Sequence, residues 1–342
     1  MKITLQFIAA LFFLQFFNTN FAATGQQIVD IGDFELENGQ VIKNCKIGFR
    51  TFGSLNSDSS NIVLYPTWYN GTSEHIAKLI GADKLIDSTD FFIIAVDAFG
   101  NGISSSPSNS PEQPGQEFPV FTIRDLVRTQ YKLLVEYLKI KHLYGAIGGS
   151  MGSMQVFEWL VSYPDFIDKA IPYVCTPRSS AQDLLYMNLR KQIIESGQNC
   201  AVPEREILKT LNMLTALVAR TPEFRIQNTE YDAFPDFLAK FEVNNFRKNL
   251  IDDQKSQLLA MLSHDITYKY GGSMEKAAAA IKAQVFIIVS ESDHILNPQP
   301  AKELASILNC KVMILQNNCG HLAIGCDLEK CSDAISRFFK IK

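Results

Sequence analysis

The sequence predicts an α/β protein: a mostly parallel β-sheet with helices on both faces and a helical insertion. Three observations carry this expectation. Short, continuously apolar, β-branched runs recur along the chain. Helical patterns alternate with them, and the alternation stops between about residues 179 and 282. Strands that are apolar on both sides belong to a sheet covered on both faces, and such sheets are usually parallel. Strand–helix alternation is how they are built.

The strands read in order as 61–65, 91–97, 143–148, 170–175, 283–290 and 310–316. Between them, 123–139 places Ile123, Leu126, Val127, Leu134, Tyr137 and Leu138 at helical spacing. Helices at 151–163, 298–308 and 328–339 complete the alternation. Region 179–282 holds helical stretches such as 205–219 and 252–263 but no convincing strand. It reads as a helical lid over the C-terminal edge of the sheet, inserted into a core formed by 24–178 and 283–342. A separate helical domain is the alternative. The stretch 100–119 is rich in Ser, Pro, Asn and Gly. It is long for a connection, as functional or mobile loops are.

The 342 residues are 46% hydrophobic and 20% charged, with a formal net charge of −4, which is ordinary for a soluble globular protein. No basic run appears, so nucleic acid is not an expected partner. At the N-terminus, Lys2 precedes an apolar run over 3–17 and then small and polar residues. This is the layout of a secretory signal peptide, 1–23, with cleavage after Ala22 or Ala23. An uncleaved anchor is the alternative, but the run is short for a membrane span. The expectation is an exported protein, periplasmic or secreted, with no stable membrane insertion after cleavage. Seven cysteines follow: Cys45, Cys175, Cys200, Cys310, Cys319, Cys326 and Cys331. In an exported chain some can pair, and the four between 310 and 331 are candidates whose pairing stays open. No spacing reads as a zinc site, and no metal or organic cofactor is expected.

Glycine weakens strands and helices alike. Its density in Gly148-Gly149-Ser150-Met151-Gly152 therefore implies a very sharp backbone turn. The string fits G-x-S-x-G between a predicted strand and a predicted helix, the context in which that motif exposes a nucleophilic serine. The N–H of Met151, at the helix start, can donate to a developing oxyanion. A glycine-rich packing turn is the plain alternative. A serine hydroxyl needs a base, and the expected chain order is Ser, then Asp or Glu, then His. Five histidines exist: His75, His142, His264, His294 and His321. His321 follows the strand at 310–316, where the base should stand. Asp293, after the strand at 283–290, can orient its imidazole. Glu291 is a rival to Asp293. His294 adjoins Asp293 too closely for a straight hydrogen bond. His75 reads as a pocket-lining residue, and His142 and His264 as ordinary surface or helix-end residues. A second oxyanion donor is expected in the loop 66–72, from the N–H of Trp68 or Tyr69. These aromatics could also simply wall the pocket. Asn70-Gly71-Thr72 matches a glycosylation sequon, but such strings are common and this one lies in a site loop.

From about Asp33 onward the chain resembles the homoserine O-acetyltransferase family of α/β-hydrolase-fold proteins. The resemblance lies in Phe99-Gly-Asn-Gly-Ile-Ser-Ser-Ser-Pro107, Phe118-Pro-Val-Phe-Thr-Ile-Arg-Asp125 and Ile147-Gly-Gly-Ser-Met-Gly-Ser-Met-Gln155. Glu158-Trp159, Tyr163-Pro-Asp165, Asp293 and Gly320-His321 extend it. It implies an α/β-hydrolase fold and acyl transfer through an acyl-serine. Ser150 would be the nucleophile, His321 the base and Asp293 the acid. In that family the acyl donor is acetyl-CoA and the acceptor homoserine. The resemblance also places Arg220 on the substrate carboxylate, which an arginine can bind bidentately. A lid salt bridge is the other reading of Arg220. Tyr69 is the further candidate for substrate binding.

The chain departs from the family at Leu322. Family members carry an aspartate just after the histidine, where it meets the substrate amine, and an apolar side chain cannot pair an ammonium. Together with the leader, this favours water as acceptor and an exported esterase acting on a small-molecule ester or acyl donor. A true homoserine O-acetyltransferase using acetyl-CoA is the second reading, and an inactive binding protein on the same fold the third. A homodimer through the lid is also expected.

Overall fold

A computed structural model of the chain describes residues 25–243 and 250–340, so the leader read at 1–23 lies outside the described residues. Its centre is one eight-stranded sheet. The strands are β1 (Gln27–Glu35), β2 (Val41–Phe52), β3 (Ile62–Pro66), β4 (Phe92–Val96), β5 (Leu143–Gly149), β6 (Ile167–Tyr173), β7 (Gln284–Ser290) and β8 (Lys311–Leu315). Their spatial order is β1-β2-β4-β3-β5-β6-β7-β8. The six strands from β3 to β8 pair in parallel, and each corresponds to one of the predicted apolar runs. β3 and β4 are buried at every position, as a sheet covered on both faces requires.

β1 and β2 were not among the predicted strands. They pair antiparallel with each other, and β2 pairs antiparallel with β4. The physical reason is visible in their composition. QIVDIGDFE and VIKNCKIGFRTF interleave polar with apolar residues because one face meets solvent, so no continuous apolar run marks them.

The helices are α1 (Ser73–Ala77), α2 (Ile123–Lys132), α3 (Met151–Ser162), α4 (Ala181–Asn199), α5 (Glu204–Val218) and α6 (Pro222–Asn228). They continue with α7 (Phe234–Ala239), α8 (Leu250–Leu262), α9 (Met274–Ala280), α10 (Gln299–Leu308), α11 (Ala323–Cys326) and α12 (Leu328–Lys340). The helix expected over 123–139 is α2 followed by one wider π-helical turn, Leu133–Tyr137. The insert 179–282 carries α4 to α9 and, among the described residues, no strand. None of the described helices is long and apolar enough to cross a membrane.

The insert is fastened to the core by polar side chains of α8. Gln257 accepts from the Asn70 N–H at 2.8 Å and donates to the Phe99 carbonyl at 2.7 Å. Asp253 accepts from the N–H of Ser108 at 2.8 Å and from its hydroxyl at 2.6 Å. The second contact fixes the long stretch 100–119. Its own residues add to this: Ser104 Oγ donates to the Asp97 carbonyl at 2.7 Å and Asn109 Nδ2 to the Ser104 carbonyl at 2.9 Å.

His264, just beyond α8, is not a surface residue: it is only 4% exposed. One ring nitrogen lies 3.2 Å from the Thr176 carbonyl, and Nδ1 has no partner among the described residues. Burial pushes this imidazole down to about 4 from its ordinary 6.5. A depressed folded pKa means that the stabilising contribution is complete above pH 6.5 and is lost as pH falls through 4. Each unit in that window removes ~1.4 kcal/mol. Denaturant titrations at stepped pH should therefore show His264→Gln losing less stability than wild type between these limits. Equal slopes would contradict the assignment.

Candidate active site

Ser150 joins β5 to α3 with φ 54° and ψ −126°, a conformation that non-glycine residues rarely adopt. Holding it costs ~1–3 kcal/mol, so the surroundings must over-determine it. The Ser150 N–H donates to the Tyr173 carbonyl at 3.2 Å. Its own carbonyl accepts from the N–H of Ser153 at 2.9 Å and from the Ser153 hydroxyl at 2.6 Å. The flanking glycines admit close neighbours. A Cβ at 149 would stand 2.1 Å from the Tyr173 ring, and one at 152 would stand 2.6 Å from the Pro66 carbonyl oxygen. The glycine density thus reflects three segments crowding one turn.

The structure brings Ser150, His321 and Asp293 together. Ser150 Oγ lies 2.9 Å from His321 Nε2, and His321 Nδ1 lies 2.7 Å from Asp293 Oδ2. Asp293 is 4% exposed, and its other oxygen accepts from the N–H groups of Ile295 at 2.8 Å and Leu296 at 3.0 Å. An ionised carboxylate only accepts, so Nδ1 must carry the ring proton and donate to it. Nε2 is then left with a lone pair toward the Ser150 hydroxyl.

The rivals lie elsewhere. Glu291 is exposed and pairs with Lys302, and His294 is exposed. His142 is a surface residue 2.9 Å from Asp168. His75 does not line the cavity as expected. It stacks on Trp68 with ring centroids 6.4 Å apart and accepts from the Thr72 N–H, so it supports a lining residue.

Ser150 and His321 open into a cavity of about 490 Å³. Trp68, Tyr69, Arg220 and Leu322 line it, with apolar walls that include Met187, Leu258, Met261, Ile295 and Ile324. No Asp or Glu is among the described lining residues. The N–H groups of Met151 and Trp68 have no acceptor among the described residues. Arg220 makes no ion pair among the described residues. It stacks over the Phe224 ring at 4.3 Å and donates from Nη1 to Cys326 Sγ at 3.2 Å.

Two further groups went unrecognised in the sequence. Buried Trp159 donates to Gln130 at 2.7 Å, Gln130 to Gln155 at 2.6 Å, and Gln155 to the Thr67 carbonyl at 2.9 Å. This chain fixes the loop bearing Trp68. Gln155 and Trp159 stood in the quoted motif, whereas Gln130 carried no local signal. The second is Arg190 of α4, 4% exposed and lining the cavity. It donates to Thr215 Oγ1 at 2.6 Å and to Tyr186 at 3.1 Å, and its guanidinium lies 5.2 Å from the Tyr69 ring centroid.

A parallel sheet with a serine on a strained strand-to-helix turn, bonded to a histidine, defines the α/β-hydrolase class. The sequence profile of the alpha/beta hydrolase fold matches residues 58–325. The chain is 30% identical over 329 residues to a homoserine O-acetyltransferase of Trichormus variabilis, covering 89% of this chain and 91% of that protein. It is 29% identical over 316 residues to an ethyl acetate hydrolase of Pseudomonas veronii, covering 87% and 89%. The solved structure of the acetyl esterase MekB superposes with a TM-score of 0.82 at 27% identity, covering 92% of this chain and 96% of that one. The chain belongs to the homoserine O-acetyltransferase-like family of α/β-hydrolase-fold enzymes, and its chemistry is acyl transfer or ester hydrolysis.

Adding one methyl group at 152 tests the crowding at the turn. Gly152→Ala should destabilise the protein by ~1–3 kcal/mol, since backbone rather than a flexible side chain must yield. Thermal unfolding checks this, and an unchanged midpoint would mean that the turn has slack.

Proposed function

We propose that this protein is an ester hydrolase in which Ser150 is the nucleophile, His321 the general base and Asp293 the group that orients it. The observation that carries this reading is the unbroken hydrogen-bond chain from the Ser150 hydroxyl through His321 to Asp293. Ser150 Oγ attacks the ester carbonyl while Nε2 takes its proton. The tetrahedral oxyanion is met by the Met151 N–H at the start of α3 and by the Trp68 N–H. His321 then returns the proton to the leaving alkoxide, leaving an acyl-serine. Water repeats the sequence and releases the carboxylic acid. Asp293 stabilises the imidazolium formed twice in each cycle.

Water is the preferred acceptor for an electrostatic reason. Leu322 lines the cavity and is 46% exposed, and among the described residues no acidic side chain lines it to pair an ammonium group. The cavity volume suits a small molecule, and its apolar walls suit an acyl or alkyl group. The ethyl acetate hydrolase and acetyl esterase relatives fit the same reading. A homoserine acetyltransferase is the second reading. Arg220, on the cavity wall, favours it, since a guanidinium there could hold the acceptor's carboxylate.

The test uses p-nitrophenyl acetate with and without homoserine, following both nitrophenol and acetyl-homoserine. Wild type should release nitrophenol without forming acetyl-homoserine. Ser150→Ala should abolish release, and Asp293→Asn should lower kcat by ~10⁴-fold. Acetyl-homoserine as the main product would overturn the hydrolase in favour of the transferase. Undiminished release by Ser150→Ala would remove the nucleophile.

A further inference from the structure

The segment carrying His321 is closed on itself. Cys319 and Cys326 form a disulfide across a sequence separation of seven residues, with Cα atoms 6.5 Å apart. His321 lies between them. The enclosed residues Leu322, Ile324 and Gly325 form part of the cavity wall. Cys319 is buried in the core beneath them.

The insert leans on this loop at several points. A Cβ at Gly320 would stand 2.8 Å from the Ala219 carbonyl oxygen. Thr221 Oγ1 donates to the Asn318 carbonyl at 2.7 Å. Arg220 Nη1 donates to Cys326, one of the two disulfide sulfurs, at 3.2 Å. The bridge therefore joins the histidine loop, the cavity wall and the insert.

A purely stabilising role fits its placement poorly. The entropy that a cross-link removes from the unfolded chain grows slowly with loop length, so a bridge across a separation of seven stabilises somewhat less than one closing a long loop. Its effect is concentrated on the residues it encloses. Without it, the far end of the loop keeps a polar anchor in Asn317, whose Nδ2 donates to the Ala323 carbonyl at 3.1 Å and to Asp327 at 2.8 Å. The loop would loosen rather than unfold.

The geometry points to the Cys319–Cys326 disulfide as a positioning element of the active site, holding His321 in line with Ser150 and setting the wall at Leu322–Gly325, so that full activity and acyl-chain selectivity belong to the oxidised form. This rests on the assignment of Ser150 and His321 as nucleophile and base. The reducing step is exchange with a dithiol. The S–S bond takes two electrons and two protons, giving two cysteine thiols, while the dithiol closes to its own disulfide. Disulfides persist in oxidising compartments, where the leader read in the sequence would deliver the chain.

The test compares the full chain oxidised, reduced with dithiothreitol, and as Cys319→Ala/Cys326→Ala. It measures kcat and KM on p-nitrophenyl acetate and butyrate, and amide hydrogen exchange across 317–328. Reduction and the double substitution should each lower kcat by ~10- to 100-fold, as misplacement of a reacting group does. They should also change the acetate-to-butyrate ratio of kcat/KM and speed exchange over 320–328. Dithiothreitol should leave the double variant unchanged. Unaltered kcat and selectivity on reduction would overturn the inference, even with a lower melting temperature and faster exchange, because a merely structural bridge moves only those two. An oxidised protein without Ser150-dependent turnover would instead sink the esterase reading, while the exchange data still reported on the loop alone.

Discussion

The structure depends on one strained turn. Ser150 is held at positive φ because β5 lies mid-sheet between β3 and β6 and cannot move without breaking both pairings. Tyr173 from β6 stands against the position where residue 149 would carry a side chain, and its hydroxyl is 2.6 Å from that of Tyr65 on β3. The two neighbours of β5 are thus tied to each other across the turn. α3, buried from Met151 to Val161, anchors the other side. The strain at one residue is small beside the burial of an entire helix, so the turn survives with its hydroxyl facing a cavity.

Charge is arranged around that hydroxyl with equal economy. Asp293 is buried, yet its carboxylate accepts two backbone N–H bonds and one from His321, so the ion is not left unpaired. The cavity lining presents the guanidinium groups of Arg190 and Arg220 and no acidic side chain among the described residues. Arg190 donates to neutral oxygens of Thr215 and Tyr186 rather than to a carboxylate, and its Nε has no partner among the described residues. Such a field favours the negative charge that develops on an ester carbonyl under attack. Among the described lining residues it offers no carboxylate to pair a cationic amine.

Legibility in the sequence followed the range of the forces involved. The six parallel strands could be read because double-sided burial demands continuous apolar runs. Ser150 could be read because its turn demands glycine, and Asp293 and His321 because loops after consecutive late strands emerge at one sheet edge. β1 and β2 could not, since half-exposed strands mix polar with apolar residues. Gln130 and Arg190 stayed hidden because their roles exist only across helix contacts between distant segments. His264 does stand at a helix end, but its burial could not be read, because such a position says nothing about what packs over it. Which of the four late cysteines pair depends on Cα separation, which spacing along the chain does not encode.

If Ser150 is the nucleophile, it becomes acylated during turnover. The most direct measurement is to quench the protein with acid within milliseconds of mixing with p-nitrophenyl acetate, digest it, and locate the acetyl group by mass spectrometry. One acetylated peptide, modified at Ser150, is expected, appearing and decaying at rates consistent with kcat. An acetyl group elsewhere, or turnover with Ser150 never modified, would contradict it.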